Sequence, residues 1–338
     1  MKVYRIFLMN KLNIGLNITK NVEKYNFFLD KIKTHLKGYS HCEYYNVSDL
    51  KNLNERISNL DVLLTYNINE DIYKQATDRL KWIHFGVAGV EKNLFNDIIK
   101  SKVILTNSKG IHARPVSEFI LACILYHAKR FENCNEFKIS QEWKQWEIAK
   151  TMVQLKNKTL GIIGYGEIGK ATAKLAKNFG MNVLATRRLQ KNKSSNRYVD
   201  SLIPISDINH IYQQSDFIAI TCPLTPMTKQ MISHDSFSKM KSTAYIINIA
   251  RGEIIEEEAL LSALNHNEIA GAALDVFKDE PLKKGHPYFN CDNLFLSPHI
   301  SGNFPEYQND MIDLFIDNLI RFLNQKNLKN RICKKRLY

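Results

Sequence analysis

The chain has 338 residues, 44% of them hydrophobic and 24% charged, with 47 Lys and Arg against 34 Asp and Glu for a net charge of +13. That length predicts two medium domains or one large one with real cores, and the composition is that of a globular protein, not a disordered or collagenous one. The longest apolar runs, Phe119–Tyr126 and Ala244–Ala250, fall short of the roughly 20 residues that cross a bilayer, so no membrane partner is expected. A basic balance is the first mark of a nucleic-acid binder. Here, however, the lysines are spread along the chain among many asparagines, with no helix-turn-helix, finger or RNP-like motif, and no nucleic-acid partner is expected either. The basic tail from Lys326 reads as a solvated terminus. The cysteines, Cys42, Cys123, Cys134, Cys222, Cys291 and Cys333, form no CxxC pair and no zinc-like spacing with histidine, which predicts a reduced, cytoplasmic protein without a metal.

In chain order, the N-terminus has no sustained apolar core and no small-residue cleavage site, so Val3–Met9 reads as a first strand and not as a signal peptide. Further strands are predicted at Cys42–Val47, Val62–Tyr66, Lys81–Gly86 and Val103–Asn107, with helical stretches such as Asn21–Lys33 between them. Pro115–Phe131 starts with Pro at a plausible first helical position and is apolar on more than one face, which predicts a helix buried between domains or subunits. A polar segment, residues 132–158, follows. A second alternating series runs from Thr159 to Gly302, and the last helix, Tyr307–Gln325, has no strand after it, so it is expected to return over the first domain. Such alternation predicts α/β layering with parallel sheets.

"TLGIIGYGEIG" places Gly164, Gly166 and Gly169 directly after an apolar strand and before a helix. In that setting the pattern is a dinucleotide fingerprint: the first glycine permits the tight turn, the second lets backbone approach a pyrophosphate, and the third lets helix and strand pack closely. The helix N-terminus then points its N–H groups and positive dipole end at the phosphates. Tyr165, Glu167 and Ile168 complete the expected loop.

Three later stretches, "INIARGEIIEEEALLSAL", "IAGAALDVFKDEPL" and "LFLSPHISG", together with "LKWIHFGVAGVEKN", "TNSKGIHARPVSEFILA" and "CPLTPMTKQMI", resemble the D-isomer-specific 2-hydroxyacid dehydrogenase family over nearly the whole chain. The resemblance implies two doubly wound parallel-sheet domains: a flavodoxin-like substrate domain, residues 1–105 and 302–338, and a Rossmann dinucleotide-binding domain, residues 106–301. A cleft between them would hold cofactor and substrate and close during hydride transfer, and a homodimer is implied as well. Arg251 would bind the substrate carboxylate and polarise its carbonyl. His299 would donate and accept the proton, with Glu280 as its hydrogen-bond partner. Ala88 and Gly89 would hold the substrate carboxylate through backbone N–H groups. Asp275 would hold the nicotinamide end, Thr228 would lie near the cofactor phosphates, and Cys222, Pro223, Ile249 and Ala250 complete the implied cofactor contacts.

The chemistry accounts for these residue types. Hydride delivery to a 2-oxo acid gathers negative charge on the carbonyl oxygen, so a cation and a proton donor must already face it. Histidine titrates near neutrality and a carboxylate neighbour stabilises its charged form, while arginine meets a carboxylate with a planar fork. Glyoxylate, hydroxypyruvate and branched 2-oxo acids all satisfy these contacts. A dinucleotide-sensing scaffold without turnover is the alternative of another class. His112 and Arg114 lie in a segment expected to line the cleft. Trp143 and Trp146 read either as core or as part of a substrate pocket, a neighbouring subunit's included. Tyr288 and Glu91 depart from leucine and aspartate at their places, the residue before His299 is Pro298, not the glutamine of a formate dehydrogenase, and a regulatory domain is not expected.

One departure bears on the cofactor. Rossmann folds that prefer NAD place an acidic residue on the adenosine ribose at the end of the second strand. Here Thr186, Arg187 and Arg188 stand there, Arg187 eighteen residues after Gly169, with Lys191 and Lys193 beyond. A hydroxyl and two guanidinium groups suit a 2′-phosphate, so NADP(H) is the expected cofactor, with NAD(H) the second choice.

Overall fold

The protein is represented by a computed structural model that describes residues 11–188 and 192–335. The first half of the chain runs β1 (Leu12–Leu16), α1 (Val22–His35), β2 (Cys42–Asn46), α2 (Leu50–Arg56), β3 (Val62–Thr65), α3 (Glu70–Tyr73), β4 (Trp82–Phe85), α4 (Asn96–Lys100) and β5 (Ile104–Asn107). Three helices follow, α5 (Ala113–Ala128), α6 (Phe131–Ser140) and α7 (Gln145–Thr151). Then come β6 (Thr159–Ile163), α8 (Glu167–Asn178), β7 (Asn182–Arg187), β8 (Ser194–Asn196), β9 (Val199–Pro204), α9 (Asn209–Gln214) and β10 (Phe217–Ile220). The chain ends with α10 (His234–Phe237), β11 (Tyr245–Asn248), α11 (Glu257–Asn265), β12 (Gly271–Leu274), β13 (Leu294–Leu296) and α12 (Tyr307–Leu323).

These elements form two compact units, one of residues up to Ile111 and from Phe304 onward, the other of His112–Asn303. In the first unit five parallel strands lie in the order β2-β1-β3-β4-β5, the flavodoxin-like arrangement. Asn21, Asp49 and Asn69 start α1, α2 and α3 by accepting N–H groups of the first turn, the donors that helix geometry leaves without partners. One sheet face buries Ile14, Leu16, Leu64 and Trp82 against Phe28 and Ile32 of α1 and Met311, Phe315 and Leu319 of α12. Each such side chain contributes about 1.5–3 kcal/mol relative to exposure. Trp82 stacks on Phe315 at 5.3 Å, so the last helix is fastened to the first unit.

In the second unit the order is β13-β12-β11-β10-β6-β7-β9-β8, parallel except for β8. The strand order reverses beside β6, and in open α/β sheets ligands bind at the carboxyl ends of strands at such a switch point. One core layer joins the sheet to α5 and α8, the other to α9, α10 and α11.

Several expectations need revision. Val3–Met9 lies outside the described residues. The strand Leu12–Leu16 was not foreseen, because Asn13 and Gly15 are poor strand formers that interrupt its apolar alternation. Helix α5 begins at Ala113, so Pro115 sits inside the first turn, where a missing N–H costs nothing. The polar segment 132–158 contains two helices, α6 and α7, with no buried residue in either. Strand β5 pairs with β4, which keeps residues to Ile111 with the first sheet, beyond the expected limit of 105.

Candidate active site

The fingerprint closes as a tight turn. Gly164 has φ +110° after β6, and a Cβ there would meet the backbone nitrogen of Cys222 at 2.7 Å. A Cβ on Gly169 would meet the Gly164 carbonyl at 2.5 Å, so only glycine lets α8 start this close to the strand. Gly166, the N-cap of α8, faces open space, which leaves room for a phosphate at the helix end.

Across the same sheet, the turns after β11 and β13 and the loop after β12 bring Arg251, Glu280 and His299 together. Arg251 follows β11; its carbonyl accepts from Asn248 Nδ2 at 2.9 Å, while Asn248 Oδ1 accepts the Ala250 N–H at 3.0 Å. A Cβ on Gly252 would strike the Phe277 carbonyl carbon at 2.0 Å, so the Arg251 turn lies directly on the loop that carries Glu280. Glu280 Oε1 accepts the Phe277 N–H at 3.0 Å and Oε2 lies 2.8 Å from His299 Nδ1. Partial burial raises the carboxyl, but the bonds from His299 and Phe277 and the charges of His299 and Arg251 outweigh it and hold Glu280 below its usual range. Glu280 is therefore an ionised acceptor on Nδ1, and Nε2 is the nitrogen left for a proton exchanged with a ligand.

His299 itself has φ +55°, the left-handed conformation that a non-glycine residue adopts when its surroundings impose it. Asp275 imposes it. This side chain is only 1% exposed, and its oxygens accept from Ser297 Oγ at 2.6 Å, the Ile300 N–H at 2.8 Å and the Ser301 N–H at 2.9 Å. The carboxylate expected to face the nicotinamide thus binds both flanks of the His299 turn. His112 Nδ1 lies 2.9 Å from the Gly302 carbonyl at the far end of that turn, and burial, with the His299 charge, lowers its pKa against the effect of that bond.

The residues at the end of β7 divide. Arg187 and Arg188 are exposed. Thr186 is not beside them: it is 1% exposed, and its hydroxyl accepts the Gly164 N–H at 3.3 Å. Successive strand residues face opposite ways, so the expected surface hydroxyl is instead a brace of the glycine turn. Lys191 lies outside the described residues. Thr228 closes its own loop, with Oγ1 donating to the Pro223 carbonyl at 2.7 Å and accepting the Thr225 N–H at 2.8 Å. Cys222 is buried against Gly164, which pushes its thiol up to about 12. Ile249 is buried and Ala250 half-buried beneath the Arg251 turn. In the first unit, Ala88 and Gly89 follow β4 and are half-buried, and their N–H groups have no hydrogen-bond partner among the described residues. Trp143 and Trp146 are 78% and 72% exposed, which removes the core reading for both.

The sequence model described as "D-isomer specific 2-hydroxyacid dehydrogenase, NAD binding domain" matches residues 121–301. A glyoxylate reductase of Thermofilum pendens is 34% identical over 282 residues, 81% of this chain and 80% of that protein. The chain belongs to the D-isomer specific 2-hydroxyacid dehydrogenase family. A hydroxypyruvate reductase of Blautia hydrogenotrophica is 30% identical over 301 residues, 85% of this chain and 91% of that one. Among solved structures, a family protein from Aeromonas salmonicida matches with TM-score 0.81 at 25% identity, over 96% of this chain and 99% of that one.

This D-2-hydroxyacid dehydrogenase is an oxidoreductase acting on CH–OH donors, with a dinucleotide-binding domain. No described helix is long and apolar enough to cross a membrane, and no cluster of His, Cys, Asp or Glu among the described residues could hold a metal ion. The residues that the sequence pattern did not single out are those that hold the dehydrogenase's named ones. They are Asn248 under Arg251, and Thr221, whose hydroxyl donates to the Gly164 carbonyl at 2.7 Å. Each sits at a strand end just before a motif, and a small hydrogen-bonding residue at that place was the available signal.

Proposed function

We propose that the protein reduces glyoxylate, hydroxypyruvate or a similarly small 2-oxo acid to the D-2-hydroxy acid, with NADPH as the preferred cofactor. The His299–Glu280 pair at 2.8 Å, with Arg251 close enough to lower the Glu280 carboxyl, is the observation that carries this reading. The bound dinucleotide supplies the hydride. Arg251 offers its guanidinium fork to the carboxylate and carbonyl of the substrate. His299, charged and oriented by Glu280, gives the Nε2 proton to the carbonyl oxygen as negative charge gathers there, and takes it back in the reverse direction. Ala88 and Gly89 offer two N–H donors to the carboxylate, and Asp275 remains the expected partner of the nicotinamide amide.

For the cofactor, the open space at Gly166, the turn at Gly164 and the N-terminus of α8 fit a pyrophosphate. Arg187 and Arg188, exposed where an NAD enzyme would carry an acid, support recognition of a 2′-phosphate. A homodimer is part of the same reading. Helices α6 and α7 bury no residue and, with the turn between them, display Phe131, Ile139, Trp143 and Trp146, beside a cavity of about 570 Å³ that Tyr126, Phe137, Ile148 and Phe295 help to line. Light scattering on the purified protein checks the dimer, and a monomeric mass rejects it. The activity is tested by measuring kcat/KM for a panel of 2-oxo acids with both reduced cofactors. Glyoxylate or hydroxypyruvate with NADPH should lead, and a lead for NADH rejects the cofactor assignment.

A further inference from the structure

Resting on the reading of Ala88 and Gly89 as carboxylate donors, we propose that Asn107 and Tyr307 are positioning residues for that loop, Asn107 fixing the Gly89 N–H and Tyr307 fixing the peptide through which the chain enters the loop. Four successive carbonyls before and within the loop are engaged from behind. The Phe85 carbonyl accepts from Ser108 Oγ at 3.1 Å, Gly86 from Tyr307 Oη at 2.5 Å, Val87 from the Ser108 N–H at 3.0 Å and Ala88 from Asn107 Nδ2 at 2.7 Å. A peptide unit is planar, with its N–H opposed to its C=O. Holding the Gly86 carbonyl therefore fixes the Val87 N–H at the entry to the loop, holding the Val87 carbonyl fixes the Ala88 N–H, and holding the Ala88 carbonyl fixes the Gly89 N–H. The two donors are set before any ligand arrives, and an anion need not order the loop itself.

The holding groups are themselves held. Asn107 ends β5, its N–H donates to the Asn330 carbonyl at 3.2 Å, and its carbonyl accepts from Asn330 Nδ2 at 3.3 Å. The segment around Asn330 continues as an edge on β5, with a bridge between Thr106 and Arg331 and the Ile332 N–H on the Leu105 carbonyl at 2.8 Å. Burial keeps the Tyr307 phenol protonated, pushed up to about 12, so it remains a donor to Gly86 at any assay pH. Ser108 is the end of a buried chain. Trp82 Nε1 donates to Thr106 Oγ1, that hydroxyl lies 2.8 Å from His84 Nδ1, and His84 Nε2 lies 3.4 Å from Ser108 Oγ. The carboxylate loop is thus tied to strands β4 and β5 and to the segment around Asn330.

The test compares Asn107→Asp, Tyr307→Phe and Gly89→Pro with the parent protein under NADPH. Asn107→Asp keeps the shape of the side chain but turns a donor into a charged acceptor facing the Ala88 carbonyl, while Tyr307→Phe removes one hydroxyl. Each should raise KM for glyoxylate and for hydroxypyruvate by the same factor, roughly three- to tenfold for Tyr307→Phe and more for Asn107→Asp. Neither should change kcat or the Kd of NADPH, read by fluorescence, by more than about twofold, because the loop meets only the carboxylate. If Asn107→Asp does not fold, Tyr307→Phe carries the same comparison. A rise in KM with Gly89→Pro but none with Tyr307→Phe or Asn107→Asp overturns the positioning role while leaving the carboxylate site standing. An unchanged KM with Gly89→Pro overturns the reading of the loop itself.

Discussion

Replacing Glu280 with Gln removes the charge and one acceptor, since with its oxygen on the Phe277 N–H the amide turns its nitrogen, a donor, toward His299 Nδ1. In the parent the carboxyl lies below its usual range, so it is ionised at every pH at which the enzyme would be assayed and adds no titration of its own near neutrality. Its ion pair with His299 spans 2.8 Å, but the side chains are 37% and 50% exposed, so solvent screens much of the attraction. Exposed pairs couple by about 0.2–1 kcal/mol. A charge-assisted hydrogen bond adds to that. The sign follows from which form is lost: the amide no longer favours the imidazolium. Oxidation of the 2-hydroxy acid needs the neutral ring, so its acid limb should move to lower pH. Reduction of the 2-oxo acid needs the charged ring, so its alkaline limb should move the same way by a similar amount. Profiles of kcat/KM against pH in both directions read this directly. Limbs that coincide with the parent's, or that move to higher pH, refute the pairing.

Other consequences can be measured on the same preparation. Asp275→Asn puts an amide nitrogen where one oxygen now accepts the N–H of Ile300 or Ser301; kcat should fall by about tenfold or more while NADPH binding weakens far less, and a loss confined to cofactor binding would leave Asp275 a nicotinamide contact only. The ratio of kcat/KM for NADPH over NADH should fall in Arg187→Ala and Arg188→Ala and partly reverse in Arg187→Asp; an unchanged ratio after removal of both arginines rejects the 2′-phosphate site. His84 is buried and pushed down to about 3 from an ordinary value near 6.5, so an unfolded chain takes up the proton first. The stability this neutral histidine contributes is present above about pH 6.5 and is lost as pH falls toward 3, by about 1.4 kcal/mol per unit. His84→Gln should flatten the fall of Tm with acid, and an equally steep fall rejects the assignment.

Much of this was legible in the sequence because the chemistry is local. The glycine turn, the ARG, DEP and SPH motifs and the alternation of strands and helices each span a few residues. What escaped was set by contacts between distant segments. Asp275 reads as a cofactor contact alone until the turn that folds back on it shows a second task, and Thr186 reads as a surface hydroxyl until the strand fixes which way it faces. Asn107 is an ordinary strand-end residue until Asn330, far along the chain, takes its backbone. The segment that forms α6 and α7 reads as polar because its apolar residues follow no helical stripe, and the structure fully buries none of them.

The central claim is that His299, oriented by Glu280, moves the proton in 2-oxo acid reduction. The most direct measurement is kcat for glyoxylate or hydroxypyruvate with saturating NADPH in the parent and in His299→Ala, alongside the Kd of NADPH. The account predicts turnover in the parent, a fall of roughly two to four orders of magnitude in the variant and little change in cofactor affinity. A variant that turns over near the parental rate, or a parent that reduces no 2-oxo acid with either cofactor, contradicts it.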